Sequence, residues 1–419
     1  MKEKVSLRIS KQTFFYFLCM MLMLRPSNPA LQVMFGSILG EMINVILKAG
    51  DYILIAGVIG SAITMRMVRK KGILTIQAWL ACGFIFVLMI STIKNGNPDN
   101  YRAYYEYLGN IFCVIYLYQN ARRNSTQFLS FLKGVSLFLM LAMLFNSLSI
   151  YIFYPNGMYT LDDGASGNSN YYLFSLDNVG FIISLCSFAV SAVYDQITRK
   201  KIKRSTIWIY VFIFGAYFYC RAATAILVSI MLLIALILQR LGLLKELNYK
   251  WVIFISAVSF AVIMSIQRFS IFEGLFLLLG KNSLLGGRLR IWNAAFSGWL
   301  DNFWMGIGID AAVTSTVLNQ HGFLTAGWGN YIGHAHNILL EALLKSGFLG
   351  TCCFVGQLLV CYRGMMLKRK SKIAKFLCVM LILFWITSLL DYRIEQIGGW
   401  LLIMLLYDVE LLDDSCQRY

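Results

Sequence analysis

The sequence predicts an all-α polytopic membrane protein of about twelve transmembrane helices with one long extracytoplasmic loop. Three observations carry this. Of 419 residues, 59% are hydrophobic and only 14% charged, against about a quarter charged in an ordinary soluble domain. Apolar runs recur from end to end, among them TIQAWLACGFIFVLMIST, VSLFLMLAMLFNSLSIYIF, WVIFISAVSFAVIMSI and FLCVMLILFWITSLL; a spanning helix needs roughly 20 such residues. The basic residues sit in short clusters between these runs, as the positive-inside rule expects of cytoplasmic loops.

The clusters set the order of the elements. They are Lys2 to Lys11, RMVRKK at 66–71, Arg122 and Arg123 with Lys133, RKKIKR at 199–204, Arg240 to Lys250, and RGMMLKRKSKIAK at 363–375. Neighbouring clusters on one side must enclose an even number of spans. That parity predicts spans at 12–25, 43–65, 72–93, 103–120, 131–154, 171–194, 205–220, 222–239, 250–267, 337–361, 374–390 and 396–411, with both termini in the cytoplasm. The stretch 30–47 reads as an amphipathic helix at the outer surface, because a span there breaks the parity. Two spans must fit within 205–239, close to the minimum of ~17 residues each, which forces their turn to Arg221 at the outer face. The first apolar run is followed by RPSNP rather than a small-residue cleavage site, so it is expected to stay as a span.

The formal charge of +17 does not indicate nucleic acid, because the basic residues form no single patch. Nine of the ten cysteines fall inside apolar runs and none forms a CxxC; they read as small packing residues, with no disulfide framework and no zinc knuckle. Residues 268–336 are the exception to the short outer loops. All three histidines of the chain, His321, His334 and His336, lie there, with Trp292, Trp299, Trp304 and Trp328 and with Arg268, Arg288 and Arg290.

These residue types suit one chemistry. Histidine takes a proton near neutral pH. Arginine grips phosphate oxygens through two parallel hydrogen bonds and keeps its charge. Tryptophan offers a flat apolar face to a sugar ring. Together they fit an enzyme that moves a sugar from a lipid-linked pyrophosphate; alternatively the tryptophans form an interfacial belt and the arginines meet lipid headgroups. Arg221, in YFYCRAATAI, is costly near hydrocarbon, at about 2.5–3.5 kcal/mol, and either lines a functional cavity or snorkels. The HxH of His334 and His336 would share one face of an extended segment, but no cysteine lies nearby and the acids Asp301 and Asp310 are isolated, so no metal site is assigned. Asp162 and Asp163 in LDDG read as a solvated turn beside Gly164 and Gly167 or, alternatively, as a cation site.

The stretch GGRLRIWNAAFSGWLDNFWMGIGIDA, followed by HAHNILLEALLKSGFLG, resembles the shared signature of bacterial O-antigen ligases and Wzy-type O-antigen or capsule polymerases. The matching positions are Gly287-Arg288, Trp292, Gly306 and Gly308, His336-Asn337, Glu341 and Gly347. Arg221-Ala222-Ala223 is similar to the family's arginine at the outer start of an earlier span, except that the usual preceding serine is Cys220. Lys281 and Arg290 have no firm counterpart.

The resemblance implies a GT-C-like, metal-independent membrane glycosyltransferase of the bacterial cytoplasmic membrane, needing no cofactor. It would act at the outer face on undecaprenyl-pyrophosphate-linked glycan as donor and acceptor, with a chain-length regulator and a flippase as further partners. His336, Arg288 and Arg221 would be catalytic. Trp292, Asn337 and Glu341 would bind substrate, with Arg290 and His334 beside them as substrate-binding candidates that the family pattern does not itself assign; Asn337 alternatively orients His336 or caps the next helix, and Gly306 and Gly308 would serve a tight turn. A polymerase is expected over a ligase that hands finished glycan to another acceptor, because the aromatic-rich chain fits an enzyme tuned to one repeat unit. A lipid-linked oligosaccharide flippase is the reading from another class; twelve spans suit it, but Asp177 and Lys345 are few mid-span charges for a transport cavity.

Overall fold

Short polar side chains open the helices. Ser10, Ser27, Thr75 and Asn124 each stand just before a helix in extended backbone and accept one of its otherwise unpartnered N–H groups. The computed structural model describes residues 10–68, 74–162, 168–174, 177–242, 247–265, 288–322, 333–391 and 397–418. Arg268, Lys281, Gly287, Trp328 and the Asp163–Gly167 part of the LDDG turn lie outside the described residues. The first half of the chain forms α1 (Lys11–Met23), α2 (Asn28–Phe35), α3 (Ser37–Val68), α4 (Ile76–Asn95), α5 (Tyr101–Ala121) and α6 (Ser125–Phe153). Then come α7 (Asp177–Arg199), α8 (Arg204–Tyr219), α9 (Ala223–Arg240) and α10 (Tyr249–Ser265). The last part holds α11 (Arg288–Asp301), α12 (Ala311–Gln320), α13 (Ile338–Leu367), α14 (Lys372–Asp391), α15 (Ile397–Tyr407) and α16 (Val409–Arg418).

This is an all-α membrane protein. Among the described residues, six helices are long and apolar enough to cross a bilayer: Ser37–Thr64, Ile76–Asn95, Ser125–Phe153, Gly180–Arg199, Ile338–Leu367 and Lys372–Leu389. Shorter apolar helices lie at Thr224–Gln239, Tyr249–Val262 and Ile397–Tyr407.

Three regions differ from the sequence expectation. The stretch 30–47 is not one surface helix: Gly36, at φ 83°, ends α2, and residues 37–47 are the start of α3. Glu41 is the lone charge from 37 to 47 and nothing there breaks a helix, so the span expected from 43 begins at Ser37. The span expected from 171 begins at Asp177. Before it, β1 (Tyr159–Asp162) and β2 (Asn168–Tyr171) pair antiparallel, with Tyr159 stacked on Tyr171. Within 268–336, the described residues hold α11 and α12, which pack on each other, and α11 packs on α13.

Helix α13 is the axis of the C-terminal half. It runs antiparallel to α4: the Gln77 amide donates to Gln357 at 3.2 Å, and Gly83, Gly350 and Gly356 let the helices close on Cys353, Val87 and Leu80. Small residues permit such approach in membranes, where hydrocarbon gives helices no hydrophobic reason to associate. Pairings elsewhere orient the rest: Ser256 with Trp385, Tyr118 with Met404, Arg122 with Asp408, and Ser147 with Ile213. Followed through, they bring Arg122, Arg199 to Arg204 and Arg363 to Lys372 to one end of the bundle. The start of α9, the end of α10, α11, α12 and the histidines lie at the opposite end.

Candidate active site

Helix α13 is broken at Gly347, where the backbone takes φ 62° and ψ −166°. The segment after α11 repairs the break from outside. Phe348 and Leu349 donate their N–H groups to the carbonyls of Phe303 and Trp304 at 2.7 and 3.1 Å. Ile307 and Gly308 donate to the carbonyls of Leu344 and Lys345 at 2.9 Å each. Backbones this close exclude side chains. A Cβ on Gly347 would lie 2.4 Å from Met305 N, and one on Gly308 would lie 2.5 Å from Thr92 Cα. Gly306 and Gly308 thus do more than form a turn: they strap α13 to α4, where Ser91 and Asn95 donate to the Gly306 carbonyl at 2.8 and 3.2 Å.

Asp310 closes the strap. Its carboxylate accepts the Asn97 N–H at 2.9 Å and caps α12 through Ala312 at 2.8 Å. Burial pushes its pKa up, but the Tyr104 hydroxyl and the backbone N–H groups of Asn97, Ala312 and Val313 outweigh it and hold the carboxyl below its usual value.

His336 enters α13 with φ 51°, a left-handed conformation that β-substituted residues avoid. The rings of His334 and His336 lie 4.1 Å apart, tilted 55°, so the HxH pair does share a side although the backbone there is not extended. Asn337 is the N-cap of α13, accepting the N–H groups of Leu339 and Leu340 and donating to the Leu389 carbonyl at 3.3 Å. Glu341, 0% exposed, pairs with Lys345 at 2.6 Å, and its second oxygen accepts the Ala335 N–H. Asn337 and Glu341, expected to contact substrate, are therefore buried and bonded to the chain itself.

Arg221 sits between α8 and α9 with φ 57° and an exposed side chain. Its N–H donates to Phe218 and that of Ala222 to Tyr217, both at 3.1 Å. These two bonds make a Schellman end to α8, in which the left-handed residue is ordinarily glycine. Cys220 is buried, and its thiol donates to the Tyr217 carbonyl at 3.5 Å, a bond a serine hydroxyl would also make. Arg288 is half-buried at the start of α11, and Arg290 is exposed two residues on. Trp292 is 1% exposed with no partner for its indole N–H among the described residues. It packs in the core and does not offer the open face expected for a sugar, whereas Trp304 is exposed and packs edge-on against Phe348. His321 pairs with Asp301 at 3.0 Å. The buried Lys345–Glu341 pair is legible in the sequence, because a cation four residues after a carboxylate in an apolar run falls on the same helix face.

No curated protein matches the chain. Residues 207–355, from α8 through the first half of α13, match the family model described as O-Antigen ligase. That span contains Arg221, Arg288, the strap and the HxH turn, and it supports a membrane enzyme with an O-antigen ligase or polymerase type of role on lipid-linked glycan. The resemblance carried by the GGRLRIW and HAHN motifs is borne out to this extent: residues 207–355 of this chain match the model of the O-antigen ligase family.

Proposed function

We propose that this chain is a polysaccharide polymerase. It joins undecaprenyl-pyrophosphate-linked repeat units at the outer face of the bacterial cytoplasmic membrane, by metal-independent glycosyl transfer on a twelve-span, GT-C-like scaffold. One observation carries the reading. Among the described residues, three non-glycine residues hold a positive φ: Lys200, Arg221 and His336. Two of the three are residues to which the family resemblance gives chemistry, and strained backbone concentrates at active sites.

In the proposed reaction, His336 takes the proton from an acceptor hydroxyl. The hydroxyl oxygen attacks the anomeric carbon of the donor with inversion, and the bond to the pyrophosphate oxygen breaks. Arg221 and Arg288 neutralise the departing pyrophosphate, a role that a low-dielectric site strengthens. Neither arginine has an ion-pair partner among the described residues, so both charges are uncommitted. Their placement supports the reading. Gly298 faces Leu344 and Phe303 faces Phe348, so α11 and the first half of α13 advance together, which sets Arg288 toward the end that carries His336. Arg221 precedes α9, which packs on α14, and α14 ends where Leu389 accepts from Asn337.

The family description favours a second reading, a ligase that transfers finished glycan to another acceptor. Purified protein supplied with lipid-linked repeat unit separates the two, because a polymerase yields a ladder of products and a ligase yields none without its own acceptor. His336→Ala, inserted at the wild-type level, is expected to make no ladder. Full-length polymer from that variant would overturn the base assignment.

A further inference from the structure

The turn His334-Ala335-His336 is held by a device inside α13. Glu341 lies one turn into the helix, and its carboxylate folds back past the Asn337 cap to accept the Ala335 N–H between the two histidines. Its other oxygen faces Lys345 at 2.6 Å, and both side chains are buried, at 0% and 2% exposure. The Lys345 carbonyl in turn accepts the Gly308 N–H of the strap at 2.9 Å. A buried ion pair of this kind is weak support for stability, since desolvating two charges offsets most of their attraction. An ionised carboxylate buried without a counter-charge is costly, and Lys345 supplies that charge.

We infer that Glu341 and Lys345 are positioning residues for glycosyl transfer. Glu341 fixes the histidine turn through the Ala335 N–H, and Lys345 keeps Glu341 in its accepting form. The catalytic part of this rests on His336 being the base; the positional part does not. Through Lys345, the turn is also tied to the Gly306–Gly308 strap and hence to α4. The mechanism requires an accepting oxygen at position 341 and no net charge at the pair.

Two double variants separate these requirements. E341Q/K345M removes both charges and keeps an oxygen for the Ala335 N–H. E341L/K345M removes the charges and the oxygen. Each is read by transfer kinetics on lipid-linked repeat unit, by thermal unfolding, and by the 13Cε1 resonances of labelled histidine in nanodiscs, a spectrum of three signals because the chain has three histidines. E341Q/K345M is expected to keep kcat within about threefold of wild type. E341L/K345M is expected to lose about 10²-fold in kcat, the usual cost of misplacing a reacting group by about 1 Å. Its KM should hold, and its His334 and His336 signals should shift while His321 stays in place.

A folded E341Q/K345M without activity would overturn the proposal, since charge and not the accepting oxygen would then matter. So would a folded E341L/K345M with wild-type kcat and wild-type histidine signals. Shifted His334 and His336 signals with unchanged transfer would sink His336 as the base and leave the positioning intact.

Discussion

Arg221 stands where its own helix end asks for glycine. A left-handed residue with a Cβ costs roughly 1–2 kcal/mol and glycine's extra chain entropy offsets roughly 0.5–1 kcal/mol of that, so Arg221→Gly should be at least as stable as wild type, by up to about 1 kcal/mol. Transfer activity in the same preparation should be lost if the guanidinium binds pyrophosphate. Thermal unfolding in detergent and the ladder assay, run side by side, check both halves; a Gly variant that keeps activity would return Arg221 to a capping role. At this scale the sequence exposed the unusual residues better than their employment. Arg221 and the three histidines stood out by rarity. The burial of Trp292 and the inward turn of Glu341 depend on which face of a helix meets which neighbour. A motif does not record that.

At the scale of elements, the break in α13 and the strap over it predict sharply different costs for similar substitutions. Gly36 and Gly347 both have positive φ, but a Cβ at Gly36 meets nothing, while one at Gly347 meets backbone of Trp304 and Met305. Gly36→Ala should therefore cost only the backbone strain, about 1–3 kcal/mol. Gly347→Ala should cost at least about 3 kcal/mol, because two backbones must separate. Unfolding temperatures of the two variants give the comparison.

Asp310 adds a pH signature to the strap. A carboxyl held below its ordinary pKa contributes stability that is complete above that ordinary value and is lost as the pH falls through the lowered one. Asp310→Asn should be less stable than wild type by about 1–2 kcal/mol at neutral pH. The gap should close in acid, below the usual aspartate value of about 3.9. Melting curves from pH 7 down to acid, recorded for both proteins, follow the gap directly. The helices themselves were legible, most to within a few residues, because a span needs a long apolar run. The β-hairpin was not, since Tyr171, Tyr172 and Leu173 simply extend the apolar run of α7. Nor did hydropathy reveal α11 and α12, whose apolar residues are spaced for one face rather than run together.

For the whole molecule, the clusters counted along the sequence and the contacts in three dimensions agree on a bundle with two unlike ends. Gly322 is exposed at the histidine end and Lys370 at the basic end. In spheroplasts, Gly322→Cys should react with a membrane-impermeant maleimide and Lys370→Cys should not until the membrane is opened. The reverse pattern would place the histidines in the cytoplasm and remove the outer-face reaction.

The gathering of Arg122, Arg199 to Arg204 and Arg363 to Lys372 at one end has a consequence beyond topology. Arg122 is paired with Asp408 and Lys368 with Asp413 and Asp414, and the remaining cations concentrate positive charge at that end. In an energised membrane, each charge moved against the potential requires about 2.3 kcal/mol per 100 mV. A membrane potential therefore favours the orientation that keeps this end on its negative side, in proportion to the number of unpaired charges gathered there.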